Sequence, residues 1–130
     1  VFRLPDAFPQ NGLAAARLAT FGVEEGWVAP FTRAVFSAEF AEGRDIADPA
    51  VLAAILERIG VAAAPALAAA GSDPIRARLR RTTAEAEHIG IFGAPSFVCE
   101  DGELYWGDDR LHAALDHTAE FQRRGERKSY

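Results

Sequence analysis

The sequence is poor in the residues that build disulfides and metal sites. It has one cysteine, three histidines and no methionine in 130 residues. A single cysteine excludes a disulfide within the chain and a cysteine-rich metal site. The histidines, His88, His112 and His117, do not stand at metal-ligand or triad spacing from a cysteine or an acid, so we expect no metal site. A reducing, cytoplasmic setting is the default expectation.

Long apolar runs and an excess of positive charge are missing too. No apolar run is long enough to cross a bilayer, so we expect no membrane partner. The net charge of −5 argues against a nucleic-acid surface. The arginines at positions 76, 78, 80 and 81 are then best interpreted as the solvated face of a helix. The length fits one globular domain.

What is present is mostly helical periodicity. The predicted helices cover residues 13–21, 27–40, a segment opened by Asp48-Pro49, residues 62–70 and residues 72–89. Gly22, Gly71 and Gly90 are the predicted helix ends, and Asp48 is a predicted N-cap followed by a first-turn proline. In the second helix Phe31, Val35 and Phe36 fall on one stripe. The polar residues 120–130 are predicted to be a frayed end or tail.

One β-hairpin is predicted near the C-terminus, with no other convincing strand. Pro95 cannot donate to a sheet ladder, so it belongs at the first residue or edge of the strand that follows. Asp101-Gly102 is typical of a two-residue turn, and residues 104–106 form the returning strand. That turn places Phe97, Cys99, Leu104 and Trp106 on one face. Cys99 is interpreted as a buried, inert thiol.

A helix is predicted directly after the hairpin, and its first residues are acidic. Gly107-Asp108-Asp109 leads into a segment whose apolar spacing through Leu115 is helical. Asp108 and Asp109 can cap this helix, which is what most acids in such a position do. They can also form a ligand site, because free backbone N–H groups at a helix start hold a carboxylate and an acidic side chain binds an ammonium.

Several motifs give the chain a resemblance to a known family. They are FGAPSF at residues 92–97, DGELYWG at 101–107, DRL at 109–111, FPQN at 8–11 and AEGRDI at 41–46. In order and spacing the chain resembles the 2-hydroxychromene-2-carboxylate isomerases and their kappa-class glutathione transferase relatives. That resemblance implies an α/β, thioredoxin-like fold of the DsbA type, with residues 1–89 as a helical insertion and residues 90–130 as the second half of the thioredoxin-like domain.

The resemblance also implies a glutathione site. Its members are the backbone of Ala94, a cis Pro95, Trp106 and the Gly107-Asp108-Asp109 segment, with Asp109 binding the γ-glutamyl ammonium. A second carboxylate at Asp108, where relatives often carry an uncharged polar residue, would repel the glutathione carboxylate. Asn11 resembles a position close to a small aromatic second substrate, although a polar residue there serves equally well as an N-cap.

The implied activity is a glutathione-dependent cis–trans isomerisation in aromatic compound degradation, by a cytoplasmic homodimer. The thiol-activating serine of the family has no counterpart in the chain, so we expect it upstream of Val1, together with the strands that would cover the hairpin. A DsbA-like thiol–disulfide oxidoreductase, a kappa-type transferase and a non-catalytic thioredoxin-like binding domain are the alternatives.

Overall fold

The computed structural model describes residues 2–127, and side chains as far as Gly125. The chain forms two compact units, Val1–Thr82 and Thr83–Tyr130. The elements are α1 (Leu13–Glu25), α2 (Val28–Phe40), α3 (Pro49–Arg58), α4 (Ala63–Ala70), α5 (Asp73–Ile89), β1 (Ser96–Val98), β2 (Leu104–Trp106), a 3₁₀ turn (Asp108–Arg110) and α6 (Leu111–Arg127). The two units divide inside α5, whereas the sequence predicts the boundary at the end of that helix.

The first unit is a helical bundle with one apolar core. Helix α1 packs on α2 and α4, and α3 packs on α2 and α4. The largest fully buried side chains come from α1, α2 and α3: Leu18, Phe31, Leu52, Ile55 and Leu56. The predicted Asp48-Pro49 start is confirmed, since the Asp48 carboxylate accepts a hydrogen bond from the Ala50 N–H at 2.8 Å. Phe36, by contrast, is exposed and stacks on Phe40.

Helix α1 runs past its predicted end. Gly22 lies within the helix, and the chain leaves it at Gly26, whose φ is +79°. Gly22 is buried because the ring of Trp27 packs on it: a β-carbon there would lie 2.6 Å from the ring carbons. Trp27 also makes edge-on contacts with Phe21 and Phe31. Gly22 therefore provides close packing rather than a helix end.

The arginine-rich part of α5 is largely solvated. Arg76, Arg80 and Arg81 are exposed, as predicted for a solvated face. Arg76 lies 3.7 Å from the Asp73 carboxylate, and Arg78 forms an ion pair with Glu24 of α1. Two of the four arginines are thus paired with acids.

In the second unit the hairpin loop differs from its prediction. Cys99 N–H donates to the Glu103 carbonyl, and Gly102 N–H donates to the Cys99 carbonyl, both at 2.9 Å. The loop therefore has three residues and ends in Gly102 at φ +89°, which is the turn-plus-bulge arrangement of such loops. The predicted two-residue turn was wrong.

The longer loop changes which side chains share a face. Phe97 is paired with Tyr105, and Val98 with Leu104. Because a one-residue shift moves every side chain of a strand to the other face, Leu104 and Trp106 lie opposite to their predicted face. Phe97, Cys99 and Tyr105 now share the side on which α6 packs. On the other side Val98 and Trp106 are 42% and 53% exposed.

Helix α6 is also longer than predicted. It continues from Leu111 to Arg127, so most of residues 120–130 are helical rather than a frayed tail, and residues 128–130 lie outside the described part. Its polar residues are good helix formers. The Gln122 amide donates to the Glu100 carboxylate at 3.3 Å, which joins this helix to the hairpin loop.

Candidate functional site

The candidate site is built around the loop that precedes β1. The Ala94–Pro95 peptide bond is cis, as predicted. The Ser96 hydroxyl donates to the Gly93 carbonyl at 2.6 Å, which closes the loop on itself. Ala94 is exposed, and its backbone N–H and C=O make no hydrogen bond within residues 2–127. The loop therefore presents one residue whose backbone donor and acceptor are both open to a ligand.

A single backbone hydrogen bond joins this loop to the start of the last helix. The Gly107 N–H donates to the Pro95 carbonyl at 3.0 Å, and the Gly107 carbonyl accepts from Arg110 N–H at 3.0 Å. Gly107 has a φ of +111°, a conformation that L-residues with side chains rarely adopt. Glycine is thus required where the strand turns into the 3₁₀ turn, and the predicted site residues on both sides are brought together.

Trp106 forms one wall of the loop. Its ring centroid lies 5.2 Å from that of Phe92, and its Nε1 edge lies over Gly93, where a β-carbon would come within 2.5 Å. The ring is half exposed. Trp106 therefore supports the backbone at Gly93, and about half of the residue stays exposed to solvent.

The acidic pair does not cap the helix. The residue before the 3₁₀ turn is Gly107, and neither Asp108 nor Asp109 accepts a hydrogen bond from a backbone N–H in the described chain. The cap interpretation of these acids was therefore wrong. The Asp109 carboxylate instead turns back over Gly107 and lies 3.6 Å from the Arg110 guanidinium, with its side chain 80% exposed.

The donors at this helix start are partly free. Arg110 N–H is used by Gly107, but the N–H groups of Asp108 and Asp109 have no partner in the described chain. Two free backbone donors and two exposed carboxylates thus lie on the consecutive residues Asp108 and Asp109. A carboxylate and an ammonium on neighbouring atoms are the groups that such an arrangement can bind.

Asn11 lies in the first unit and behaves as a helix-start residue. Its side-chain oxygen accepts from the Leu13 N–H at 3.1 Å, and the residue is exposed. The neighbouring Gln10 has the more structural role: its amide accepts from Ile46 N–H at 2.9 Å and donates to the Arg44 carbonyl at 3.3 Å. Two motifs of the family resemblance, FPQN and AEGRDI, are joined by this one side chain.

Cys99 is buried, as predicted. Its Sγ lies 3.7 Å from the Ala114 carbonyl and accepts from the Thr118 hydroxyl at 3.4 Å. Both partners belong to α6, so the thiol packs between hairpin and helix. A buried thiol without a second cysteine has no route to dithiol exchange within this chain.

Sequence reasoning missed one pair of titratable residues. His117 Nε2 lies 2.7 Å from Asp101 Oδ2, so the imidazole donates to the carboxylate. This bond, together with the Glu103 N–H that Asp101 also accepts, lowers the pKa of the Asp101 carboxyl. The pair is sixteen residues apart and depends on the hairpin register, so no sequence spacing points to it. It ties the loop to α6.

Within the described residues, no group of three or more His, Cys, Asp or Glu side chains is placed to hold a metal ion. None of the helices there is both long and apolar enough for a membrane crossing.

Comparison with known proteins agrees with this architecture. The family model for the DSBA-like thioredoxin domain matches residues 1–119, and the chain belongs to that family. Among solved structures, it is similar to 2-hydroxychromene-2-carboxylate isomerase, with a TM-score of 0.79 and 22% identity over 99% of this chain. The chain spans 62% of the length of that isomerase. No curated protein sequence matches it. The predicted DsbA-type thioredoxin fold is thereby confirmed.

Proposed function

We propose that this chain supplies the glutathione-binding part of a glutathione-dependent isomerase of the 2-hydroxychromene-2-carboxylate type. Membership of the DSBA-like thioredoxin family supports a thiol-based function, and the similar solved structure carries the name of such an isomerase. The reaction, the glutathione and the aromatic substrate are all part of the proposal.

The observation that carries the proposal is the hydrogen bond from Gly107 N–H to the Pro95 carbonyl. It holds two sets of unpaired backbone groups side by side, those of Ala94 and those at the start of the 3₁₀ turn. A tripeptide with an extended cysteinyl residue and a zwitterionic γ-glutamyl end needs both sets.

Each part of the site has a role in this arrangement. The Ala94 backbone pairs with the cysteinyl part in the manner of a neighbouring strand. The N–H groups of Asp108 and Asp109 hold the γ-glutamyl carboxylate, and the Asp109 carboxylate binds the ammonium. Trp106 shields one side of the loop from water. The Asp108 side chain adds a second negative charge, which opposes the ligand carboxylate and favours its ammonium.

Bound glutathione would supply a thiolate nucleophile for reversible addition to a conjugated double bond, which would allow rotation about that bond. Within this chain the site residues only bind and orient the tripeptide. By the family resemblance, ionisation of the thiol belongs to a serine outside the chain, and Asn11 lies close to the aromatic substrate. Cys99 is buried, which disfavours a disulfide oxidoreductase built on this chain's own thiol.

Calorimetric titration of glutathione into the protein that carries this chain tests binding. A parallel assay follows the conversion of 2-hydroxychromene-2-carboxylate with and without glutathione. We expect saturable binding and a conversion that requires the thiol, with S-methylglutathione binding but not supporting turnover. Absence of binding contradicts the site assignment. Binding without isomerisation, but with transfer of glutathione to an electrophile, favours the kappa-type transferase.

A further inference from the structure

A separate cavity lies within the helical unit Val1–Thr82. It has a volume of about 230 Å³, and its walls come from α1, α2 and the segment that follows α2. Small side chains form one wall and larger ones the other: Ala15, Ala16 and Ala19 on α1, and Phe31, Val35 and Glu39 on α2. An apolar cavity of roughly 150 Å³ is enough to bind benzene, so this one has room for a ring with a small substituent.

Glu39 is the one charged side chain that lines this cavity. It is only 7% exposed, and its carboxyl group makes no hydrogen bond or ion pair with any described residue. Burial raises the pKa of the Glu39 carboxyl, because the charged form loses its water. Buried polar groups in proteins are almost always paired, so a carboxyl that opens into a cavity without a partner needs an explanation.

Neighbouring charged groups do not provide that partner. Glu42, which follows α2, lies 3.7 Å from Arg58 and 3.9 Å from Arg44, so these three charges are occupied with one another. Arg17 of α1 lines a different cavity together with Leu67 of α4. The other residues around the Glu39 cavity are apolar except for Thr32.

We propose that this cavity binds a small neutral molecule, about one aromatic ring in size, which keeps the Glu39 carboxyl in its O–H form by accepting a hydrogen bond through a carbonyl oxygen. The apolar walls take the ring, and the carboxyl O–H gains the partner that the protein does not give it. A carboxylate ligand is disfavoured, because the apolar walls would strip the water from its charge and Glu39 offers it a single donor. All the lining residues belong to the helical unit, so this site does not depend on the glutathione proposal.

Acetophenone is the probe that tests this proposal, with ethylbenzene and benzoate for comparison. Ethylbenzene keeps the ring and lacks the oxygen, whereas benzoate replaces the ketone by a carboxylate. Titration of each into the ¹⁵N-labelled full chain is followed by amide chemical shifts. We expect saturable shifts on α1 and α2 with acetophenone. Ethylbenzene should bind roughly three- to tenfold more weakly, the effect of one neutral hydrogen bond, and benzoate should not bind there.

Substitutions of two alanines by leucine test whether the binding lies in the cavity. Ala16→Leu fills it and should abolish the acetophenone shifts, whereas Ala29→Leu, at an exposed position of α2, should leave them unchanged. Glu39→Gln keeps a donor and should retain binding within about threefold, while Glu39→Val should reduce it to the level of ethylbenzene.

Several results would overturn the proposal. They are equal affinity for acetophenone and ethylbenzene, shifts that map away from α1 and α2, and no saturable binding at all. Benzylamine binding more tightly than acetophenone would also overturn it, because that preference requires an ionised Glu39. The comparison of probes needs no variant, so it decides the question even if Ala16→Leu does not fold.

Discussion

The indole of Trp106 lies against Gly93 so closely that a β-carbon on Gly93 would meet Nε1 at 2.5 Å. The ring also packs against Phe92, the residue just before that glycine. A strand residue of the hairpin thus fixes the backbone immediately before Ala94, and the shape of the proposed glutathione loop depends on the absence of a side chain at position 93.

Gly93→Ala is therefore expected to damage both the loop and the fold of its unit. The new methyl group must displace a packed ring, and overpacking of this kind costs about 1–3 kcal/mol of unfolding free energy. Denaturant unfolding and glutathione titration on the same samples provide the measurement. Gly12→Ala is the control, because its β-carbon would meet only Ile46 at 4.0 Å. Equal stability and affinity in both variants would contradict the role of Trp106.

Asp109→Asn is expected to weaken glutathione binding by roughly ten- to a hundredfold, since a charge-assisted hydrogen bond contributes about 1.5–3 kcal/mol. Because the Asp109 side chain caps no backbone N–H, the melting temperature should not change. Calorimetric titration measures the affinity. Asp116→Asn is the matched control, because it removes the same charge at an exposed position of α6 outside the proposed site, and it should leave binding unchanged.

The Asp101–His117 hydrogen bond is expected to make the free energy of unfolding fall as the pH is lowered. The pKa of Asp101 is lowered in the folded chain, so its contribution is present above the unfolded pKa and is lost as the pH falls through the folded one. Asp101→Asn should therefore lower the urea midpoint at about pH 6 and have little effect near pH 2. Asp116→Asn, at an exposed position of α6 next to His117, should not change the urea midpoint at either pH. A difference between wild type and Asp101→Asn that persists at the lowest pH would rule out this linkage.

Glu39 is expected to have the opposite effect from Asp101: it should make the free energy of unfolding fall as the pH rises. Its folded pKa is raised by burial, so its favourable contribution is complete below the unfolded pKa and disappears as the pH rises through the folded one. Glu39→Gln should remove this loss and make the chain more stable than wild type at neutral pH, but not at acidic pH. Thermal unfolding across this range measures it, with the exposed Glu57→Gln as control. A neutral-pH midpoint no higher than that of wild type would count against a buried, unpaired carboxyl.

Gly22→Ala is expected to destabilise the helical unit although alanine favours helix by about 1 kcal/mol over glycine. The methyl group would collide with the ring of Trp27, at a cost of about 1–3 kcal/mol. Gly125→Ala, in α6 with open space around its β-carbon, should have no such cost. Unfolding midpoints of the two variants decide it, and a stabilised Gly22→Ala would mean that the Trp27 ring moves without penalty.

These cases indicate what the sequence could predict. The helix start at Asp48-Pro49 and the helix end at Gly90 were predictable from the sequence. A capping side chain or a glycine determines such an end through its immediate neighbours in the chain. Gly22 looked like a stop because its partner, Trp27, acts through packing. Asp101-Gly102 was the correct turn position, but the loop took one residue more, and that residue decided which side chains α6 covers.

The candidate site could also be predicted only in part from the sequence. Its members were identified from motifs, and the cis bond at Pro95 agreed with the resemblance. The contact that joins them, from Gly107 N–H to the Pro95 carbonyl, follows from the hairpin register and has no signature in the sequence. Glu39 was missed because its position in α2 is unremarkable until α1 packs against it and leaves a cavity.

Deamidation of Gln10 would disturb the structure of the helical unit, because both ends of its side-chain amide form hydrogen bonds. The amide donates with Nε2 and accepts with Oε1 at the same time, to two backbone groups of the segment that follows α2. Deamidation to glutamate would keep the acceptor for Ile46 but turn the donor into a second acceptor, facing the carbonyl of Arg44. One hydrolysed amide would then remove one of the hydrogen bonds that hold the segment carrying Ile46, a core residue of the helical unit.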